Sequence, residues 1–308
     1  MPYTLSNKLV IGLASSALFD LEESDKVFRE KGTEAYQKYQ RKNQDKPLKK
    51  GVAYSFIKRL LSLNEIQPGD PWVEVVLLSR NSPDTGLRVM NSIEHWDLDI
   101  SRALFLEGSS PYPYFSKLNI SLFLSANEAD VSDAIKAGFP AGRVLPAQIA
   151  DDEEDKELRI AFDFDGVIAD DSAERVYQES NNLKDFQEYE KKHNDVAHNP
   201  GPLKPFLDRI SDLQKLELQF SKAHKKYKPR IKISIVTARN MPAHARVIKT
   251  MRAWNINVNQ AYFLGGVEKS NILEVLKPHI FFDDQKLHLN PSSKILPSVH
   301  VPFGRLNE

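Results

Sequence analysis

The chain has 308 residues, 41% of them hydrophobic, and its 42 lysine and arginine residues are balanced by 42 aspartate and glutamate residues. This length favours two domains with cores of their own, and a net charge of zero argues against a dedicated nucleic-acid binder or a membrane-surface protein. Cysteine is absent, which excludes disulfides, thiolate catalysis and cysteine-ligated zinc, and no apolar stretch approaches the roughly 18 residues of a membrane span, so the cytoplasm is the expected location.

The first strand-like segment is the apolar run at residues 9–19, which we interpret as a buried strand rather than as the core of a signal peptide. An acidic segment at residues 151–155 comes later in the chain. Because such a density of charge cannot be buried unpaired, it indicates a surface linker. We therefore expect two domains, residues 1–150 and residues 151–308.

Beyond this linker, apolar strand-like segments alternate with amphipathic helical patterns such as residues 243–254 and 270–276. The alternation predicts an α/β fold, and similar patterns in the first half predict the same fold there. The candidate strands of the second half are residues 158–164, 231–237, 261–264, 279–283 and 299–302.

The two halves are related in sequence. Apolar periodicity alone does not produce coincident tryptophan, arginine and glycine residues, so we interpret the likeness as an internal duplication. A shift of 158 residues, without a gap, places Arg88 on Arg246, Val89 on Val247, Trp96 on Trp254, Ala103 on Ala261, Phe105 on Phe263, Leu106 on Leu264, Gly108 on Gly266 and Phe123 on Phe281. Nearer the start of each half, a different offset places Asp20 on Asp170.

Two aspartates follow the first strand of the second half, in the motif FDFDGV at residues 162–167. Side chains alternate along a strand, so Asp163 and Asp165 lie on one side at its carboxyl end, where open parallel sheets bind ligands. Gly166 permits a tight departure from the strand. Two acids this close favour a cation between them, and carboxylate oxygens suit Mg²⁺. Taken alone, the motif is equally compatible with an aspartate-rich turn.

A second predicted strand ends in a hydroxyl residue. Thr237 ends this strand, and Ala238 and Arg239 follow it. The threonine hydroxyl can donate to a phosphoryl oxygen, and the guanidinium adds a fork of donors. Residues 237–239 are therefore the candidate phosphate-binding turn, although a strand-end threonine taken singly is more often a cap.

Two later strand ends complete the set. Lys269 begins a helical pattern, where its ammonium and the helix N-terminus would both stabilise the charge of a phosphoryl group. The motif IFFDD at residues 280–284 ends in a second pair of acids, Asp283 and Asp284, which are placed to complete a metal site.

The first half lacks this chemistry at the corresponding positions. We therefore expect a half without catalytic acids, in a structural or regulatory role, and leave open whether it shapes the substrate pocket or mediates assembly of a homo-oligomer. Where the second half has Asp163, Asp165, Thr237, Lys269, Asp283 and Asp284, the first has Leu13, Ser15, Ser79, Pro111, Ser125 and Ala126.

In this order, the four strand-end elements resemble the haloacid dehalogenase superfamily of phosphotransferases, over nearly all of residues 158–284. The resemblance implies two related Rossmann-like halves with parallel sheets, the second of them catalytic. It implies that Asp163 is the nucleophile and a Mg²⁺ ligand, and that Asp165 is the general acid and then the base, with its backbone carbonyl on Mg²⁺. It further implies that Thr237 and Lys269 hold the phosphoryl group. Asp283 or Asp284 would finish the coordination sphere.

A narrower resemblance, to the cytosolic 5′-nucleotidase type I family, covers almost the whole chain. It rests on VTAR at residues 236–239, PHIFFDDQ at residues 278–285, GPLK at residues 201–204 and ALF at residues 17–19. This resemblance implies Mg²⁺-dependent hydrolysis of nucleoside 5′-monophosphates, through an aspartyl phosphate on Asp163.

Residues 171–230 separate the first two catalytic strands and are far longer than an ordinary connection. Their polar, helical composition predicts a cap that excludes water and supplies specificity for the leaving group. We expect most of the aromatic residues here to be core residues and leave open that one of them stacks on a base. They are Tyr177, Phe186, Tyr189 and Phe206.

Two alternatives to nucleotide hydrolysis stay open at this point. The same motifs serve a sugar-phosphate phosphatase or a phosphotransferase, because water and sugar hydroxyls both attack an aspartyl phosphate. A protein of another class, a nucleotide-binding regulator without catalysis, would keep the residues and release no phosphate.

Overall fold

The computed structural model describes residues 3–147, 149–180 and 182–307, without the side chains at positions 177, 180, 183 and 306. The chain divides into two compact units, Met1–Phe139 and Pro140–Glu308. The strand at Ala141–Val144, which the sequence assigned to the first domain, lies in the second unit, where it pairs with a strand at Ser298–His300.

The first unit is an α/β structure. In chain order it contains β1 (Leu9–Leu13), α1 (Ser15–Leu18), β2 (Phe19–Asp20), α2 (Glu22–Lys42), β3 (Lys49–Lys50), α3 (Tyr54–Ser62), β4 (Val73–Ser79), α4 (Pro83–His95), β5 (Arg102–Phe105), β6 (Leu122–Ser125) and α5 (Glu128–Lys136). Its sheet has the order β6-β1-β4-β5, and every pairing in it is parallel. The five residues of β1 are all buried, which confirms a buried strand at the start of the run at residues 9–19, but the strand ends at Leu13 and Ser15–Leu18 forms α1.

The second unit repeats this architecture and adds to it. It contains β7 (Ala141–Val144), β8 (Leu158–Phe162), α6 (Ser172–Ser180), α7 (Leu183–Lys192), α8 (Lys204–Ala223), β9 (Ile231–Thr237), α9 (His244–Ala253), β10 (Gln260–Phe263), α10 (Lys269–Leu276), β11 (Ile280–Asp283), α11 (Lys286–Ser292) and β12 (Ser298–His300). The strand order is β10-β9-β8-β11-β12-β7, and only the β7–β12 pairing among these described strands is antiparallel. The predicted α/β class with parallel sheets is confirmed.

The topology also supports the duplication. The order β6-β1-β4-β5 in the first unit corresponds to β11-β8-β9-β10 in the second, and β4, β5 and β6 each begin 158 positions before β9, β10 and β11. Left-handed backbone recurs at the same spacing. Asp97, Glu107, Gly108 and Asn119 have positive φ angles, as do their counterparts Asn255, Gly265, Gly266 and Lys277.

A second correspondence, 150 positions apart, covers the segments that follow β1 and β8. The N–H of Gly51 donates to the carbonyl of Leu18, as that of Gly201 donates to Ile168. A Cβ atom would lie 2.7 Å from another backbone atom at Gly51 and 2.3 Å at Gly201. Both positions therefore require glycine, because the chain returns against the backbone of the segment that follows β1 or β8.

The core of the second unit includes three aromatic rings in mutual contact, two of them stacked. Phe162 at the end of β8 and Phe282 on β11 lie with centroids 5.2 Å apart, and Phe206 of α8 lies 5.9 Å from each of them. Full burial of such a ring contributes about 1.5–3 kcal/mol. Helix α8 thus packs against the sheet. In the described ranges, the other helices between β8 and β9 are the shorter α6 and α7. None of the described helices combines the length and the apolar character that crossing a bilayer requires.

Candidate active site

Lys269 links two strand-end aspartates of the second unit. Its Nζ lies 2.7 Å from Oδ2 of Asp163 and 2.7 Å from Oδ2 of Asp283. Only 1% of the lysine is exposed. Burial alone would lower the pKa of Lys269, but the two carboxylates raise it well above its ordinary value. Lys269 is therefore a charged ammonium that holds the two carboxylates together.

Parallel pairing explains why these aspartates converge. Strand β8 lies between β9 and β11, and it pairs with β11 in register as far as its last residue. The N–H of Phe164 donates to Oδ1 of Asp163 at 2.7 Å, and the N–H of Gln285 donates to Oδ1 of Asp283 at 2.8 Å. One oxygen of each carboxylate is thus fixed by the backbone, and the other faces Lys269. Burial raises the pKa of Asp163 to about 6.

Asp284 completes a cluster of acids that fits a divalent cation. One carboxylate oxygen from each of Asp163, Asp283 and Asp284 lies within 4.8 Å of the others. Oδ1 of Asp284 is buried without a hydrogen-bond partner among the described residues. Burial and the neighbouring acids raise the pKa of Asp284 to about 10. A hard cation such as Mg²⁺ would give this oxygen its missing partner and offset the repulsion.

The loop after β8 passes directly against this acid. Gly166 has a φ angle of +69°, and a Cβ atom there would lie 2.6 Å from Oδ2 of Asp284. The glycine predicted as a tight departure from the strand is thus also needed for space beside the carboxylate.

Asp165 is held by an arginine. Nε of Arg239 donates to its Oδ2 at 2.7 Å and Nη2 donates to its Oδ1 at 2.6 Å, a bidentate pair. Burial alone would raise the pKa of Asp165, but the guanidinium lowers it below its ordinary value. Nη1 of Arg239 donates to Glu190. The sequence predicted Arg239 at the phosphate, whereas in the structure its three donor nitrogens face two carboxylates.

Thr237 lies at the end of β9, the strand beside β8. Its Oγ1 accepts the N–H of Arg239 at 3.3 Å, and Ala238 between them is exposed. The structure thus brings the predicted strand-end residues to one edge of the sheet. Asp163, Lys269 and Asp283 are in direct contact, Asp284 joins their cluster, and Asp165 and Thr237 are linked through Arg239.

The comparisons with known proteins agree with this geometry. The profile of the 5′-nucleotidase family matches residues 1–308. The chain belongs to the 5′-nucleotidase family. It is 32% identical over 295 residues to human cytosolic 5′-nucleotidase 1B. The matched region covers 94% of this chain and 48% of the human protein, so the chain spans about half the length of this relative. No solved structure matches the chain. The predicted resemblance is confirmed.

This member of the 5′-nucleotidase family has a buried glutamate that the sequence analysis did not single out. Glu190 of α7 is 1% exposed, and it accepts hydrogen bonds from Arg239 and, at 2.8 Å, from Nη1 of Arg246. The spacing of 150 residues contained a signal for it. That offset places Tyr39 on Tyr189 and Gln40 on Glu190, so an acid appears only in the half that carries the catalytic motifs.

A second unpredicted acid is Glu174 of α6. Nε2 of Gln285 donates to its Oε1 at 3.0 Å. Burial, followed by the charges of Asp165 and Asp163, raises the pKa of Glu174 to about 7. Both α6 and α7 thus bring an acid close to the strand-end cluster.

His198 lies between these charged groups and is buried in its neutral form. Burial, with the charges of Arg239 and Arg246, lowers its pKa to about 3. Its Nε2 has no hydrogen-bond partner in the part of the chain that the structure describes. The position 150 residues earlier holds Leu48, which is also buried.

We expect His198→Leu to remove a source of acid sensitivity. A histidine with a folded pKa of about 3 and an unfolded pKa of 6.5 stabilises the unfolded state as the pH falls below 6.5. Relative to the wild type, the leucine variant should gain about 2 kcal/mol more unfolding free energy at pH 5 than at pH 8. Urea unfolding at the two pH values measures this difference. An equal effect at both values would contradict the buried neutral histidine.

The aromatic residues predicted for the cap have different surroundings. Phe206 is fully buried in the core, as expected. Phe186 is buried with its ring centroid 5.4 Å from the guanidinium of Arg239, and Tyr189 faces Arg246 at 5.7 Å. The side chain of Tyr177 lies outside the described residues. Stacking of one of these rings on a base stays a prediction.

Proposed function

We propose that this chain hydrolyses nucleoside 5′-monophosphates to nucleoside and phosphate, and that it does so in the cytoplasm. The observation that carries the proposal is the position of Lys269, 2.7 Å from both Asp163 and Asp283, in a chain of the 5′-nucleotidase family. Family membership supports hydrolysis of the phosphate ester. The name of the human relative supports the nucleotide substrate and the cytosol.

Asp163 is the proposed nucleophile. With a pKa of about 6 its carboxylate is ionised at neutral pH, as attack on phosphorus requires. Thr237 and Ala238 bind phosphoryl oxygens through the hydroxyl and the backbone N–H, and the ammonium of Lys269 offsets their charge. Positioning and charge are what phosphoryl transfer needs from a protein, since the anionic phosphate otherwise repels nucleophiles.

Asp165 is the proposed proton carrier. Because Arg239 lowers its pKa, the carboxylate first takes up a proton from solvent, and it then gives this proton to the ribose oxygen as the bond to phosphorus breaks, which leaves the phosphoryl group on Asp163. The same carboxylate then takes a proton from the water molecule that hydrolyses the aspartyl phosphate, and phosphate departs. One residue thus serves both halves of the reaction.

Mg²⁺ is the proposed cofactor. Asp163, Asp284 and the backbone carbonyl of Asp165 would hold it, and the partnerless Oδ1 of Asp284 favours this acid over Asp283, whose two oxygens already accept hydrogen bonds. When bound, the ion supplies positive charge that offsets the charge of the phosphoryl group.

We propose that the cap within residues 171–230 consists of α6 and α7. These helices place Glu174 and Glu190 near the strand-end residues, whereas α8 packs Phe206 against the sheet. The first unit, with serine and leucine at the corresponding strand ends, has a structural or regulatory role.

The decisive experiment measures phosphate release from a panel of nucleoside 5′-monophosphates and sugar phosphates, with Mg²⁺ and with a chelator. We expect the nucleotides to be the best substrates and the chelator to abolish release. Faster release from sugar phosphates would favour the sugar-phosphate phosphatase. Transfer of phosphate to an added nucleoside would identify a phosphotransferase, and nucleotide binding without any release would identify a regulator.

A further inference from the structure

Arg239 joins the proposed proton carrier to the α6–α7 segment. Its guanidinium forms the bidentate pair with Asp165 and also donates to Glu190, while only 2% of its side chain is exposed. Two rings enclose it, with the centroids of Phe164 and Phe186 at 5.2 Å and 5.4 Å. A buried guanidinium that donates from three nitrogens to two carboxylates is restricted to one orientation, and so is the carboxylate bound to it.

The duplication supplies an internal comparison for this network. In the first unit, Nη1 of Arg88 donates to Gln40 at 3.2 Å and Nε donates to the carbonyl of Lys46 at 3.0 Å. In the second, Nη1 of Arg246 donates to Glu190 at 2.8 Å and Nε donates to the carbonyl of Val196 at 2.9 Å. Each arginine also lies 5.7 Å from a tyrosine ring. This contact between an arginine and the helix that carries Gln40 or Glu190 is therefore common to both units, and a neutral glutamine is sufficient to form it.

Three charges of the second unit are absent from the corresponding positions of the first. Ser15 stands for Asp165, Asn81 for Arg239 and Gln40 for Glu190. Asn81 accepts a hydrogen bond from Tyr36 at 3.0 Å, so the site is filled by a neutral pair. Where the acid is missing, the arginine and its glutamate partner are missing as well. The Arg239–Glu190 pair thus occurs together with Asp165, and it is not needed for the packing contact between the helix and the arginine that both units share.

From these contacts we infer that Arg239 is a positioning residue for Asp165, oriented by Glu190, and that it does not bind the phosphate directly. The inference rests on the proposed function, since it concerns the carboxyl group that transfers the proton to the ribose oxygen. Each carboxylate oxygen has two lone pairs, so the arginine occupies one on each oxygen and leaves the other for the proton. Glu190 lies on α7, so the orientation of Asp165 depends on the position of this helix.

The test combines kinetics with nucleotide binding. A positioned acid contributes about 10²–10⁴-fold to rate, so Arg239→Asn should lower kcat for adenosine 5′-monophosphate by about tenfold to a hundredfold, with KM within about twofold. In an Asp165→Asn background the same change should lower kcat no further, because the group on which it acts is gone. Calorimetry should find equal Kd values for adenosine 5′-monophosphate in Asp165→Asn and in the double variant.

A direct phosphate contact predicts the opposite pattern. Binding would weaken by about tenfold or more, and the two substitutions would act independently. Either result would overturn the inference. A wild-type protein that binds the nucleotide but releases no phosphate would contradict the proposed function alone, while the Kd comparison still decides whether Arg239 touches the phosphate. A wild type that binds no nucleotide would overturn both.

Folding is controlled by a matched variant. Arg239→Asn alone leaves Glu190 with one partner fewer in a buried site, so the variant Arg239→Asn with Glu190→Gln reproduces the neutral residues of the first unit, where Gln40 keeps the contact with its arginine. Asp165 keeps its charge and loses its partner, so this double variant should unfold below the wild type but at a higher temperature than Arg239→Asn alone, and it should show the same loss of kcat. Lys249→Ala removes an exposed ion pair with Asp195 outside the network and should change neither quantity.

Discussion

Replacing Asp163 by asparagine is expected to lower phosphate release by at least about 10³-fold, the order of loss seen when a covalent nucleophile is removed. The amide oxygen can still accept the N–H of Phe164, so the local fold is retained. Burial raises the pKa of Asp163, and the wild type therefore loses stability by keeping this carboxylate ionised. In a chelator at neutral pH, the variant should have an equal or higher thermal midpoint together with the lost activity.

The combination of lost activity and retained stability is what distinguishes a chemical role from a structural one. Asp212→Asn, at an exposed position on α8, is the matched control and should alter neither property. Wild-type turnover by Asp163→Asn would remove Asp163 as the nucleophile. A collapse of the fold would instead assign it a structural role.

Lys269→Met is expected to have the largest effect on stability. The ammonium lies between two buried carboxylates, and removing one partner of a buried ion pair costs about 3–5 kcal/mol, because the remaining charge is left uncompensated. Phosphate release should fall by about 10²-fold or more, as when one donor to a developing charge is lost. Guanidinium unfolding in a chelator, beside phosphate release with Mg²⁺, measures the two effects.

The stability loss of Lys269→Met should depend on pH with a definite sign. The pKa of Asp163 is about 6 in the folded protein, above its ordinary 3.8, and loss of the lysine would raise it further. The folded variant therefore binds a proton that the unfolded chain does not, so its deficit against the wild type shrinks as the pH falls from 8 to 5. Lys222→Met, at an exposed position on α8, is the control. A deficit independent of pH would contradict the buried ion pair.

The fold and the convergence of the strand-end residues could be predicted because both follow from local patterns. Buried strands are short apolar runs, and the carboxyl ends of neighbouring parallel strands meet at one edge. Residues far apart in sequence, such as Asp163 and Asp283, therefore converge whenever each follows such a strand. The duplication was visible for the same reason, since Trp, Arg and Gly residues keep their spacing where the backbone keeps its geometry.

The partners of these groups could not be predicted, because they depend on side-chain directions that no pattern states. The sequence placed Arg239 in a turn beside a phosphate, yet its direction is decided by Asp165 and Glu190. Glu190 and His198 lie outside the strands, on segments whose position against the sheet the strand pattern does not predict. The choice between Asp283 and Asp284 as metal ligand likewise rests on which oxygen the backbone and Lys269 already use.

Gly51 and Gly201 have one further consequence. Each lies too close to the backbone of an earlier segment of its own unit for any side chain, although only the second belongs to the half that carries the proposed chemistry. Damage shared by two such paired sites reports on folding, whereas damage confined to the later site of a pair reports on turnover. Each unit thus serves as an internal control for the other. The cause of a harmful substitution can be inferred by making the same substitution at the equivalent position of the other unit.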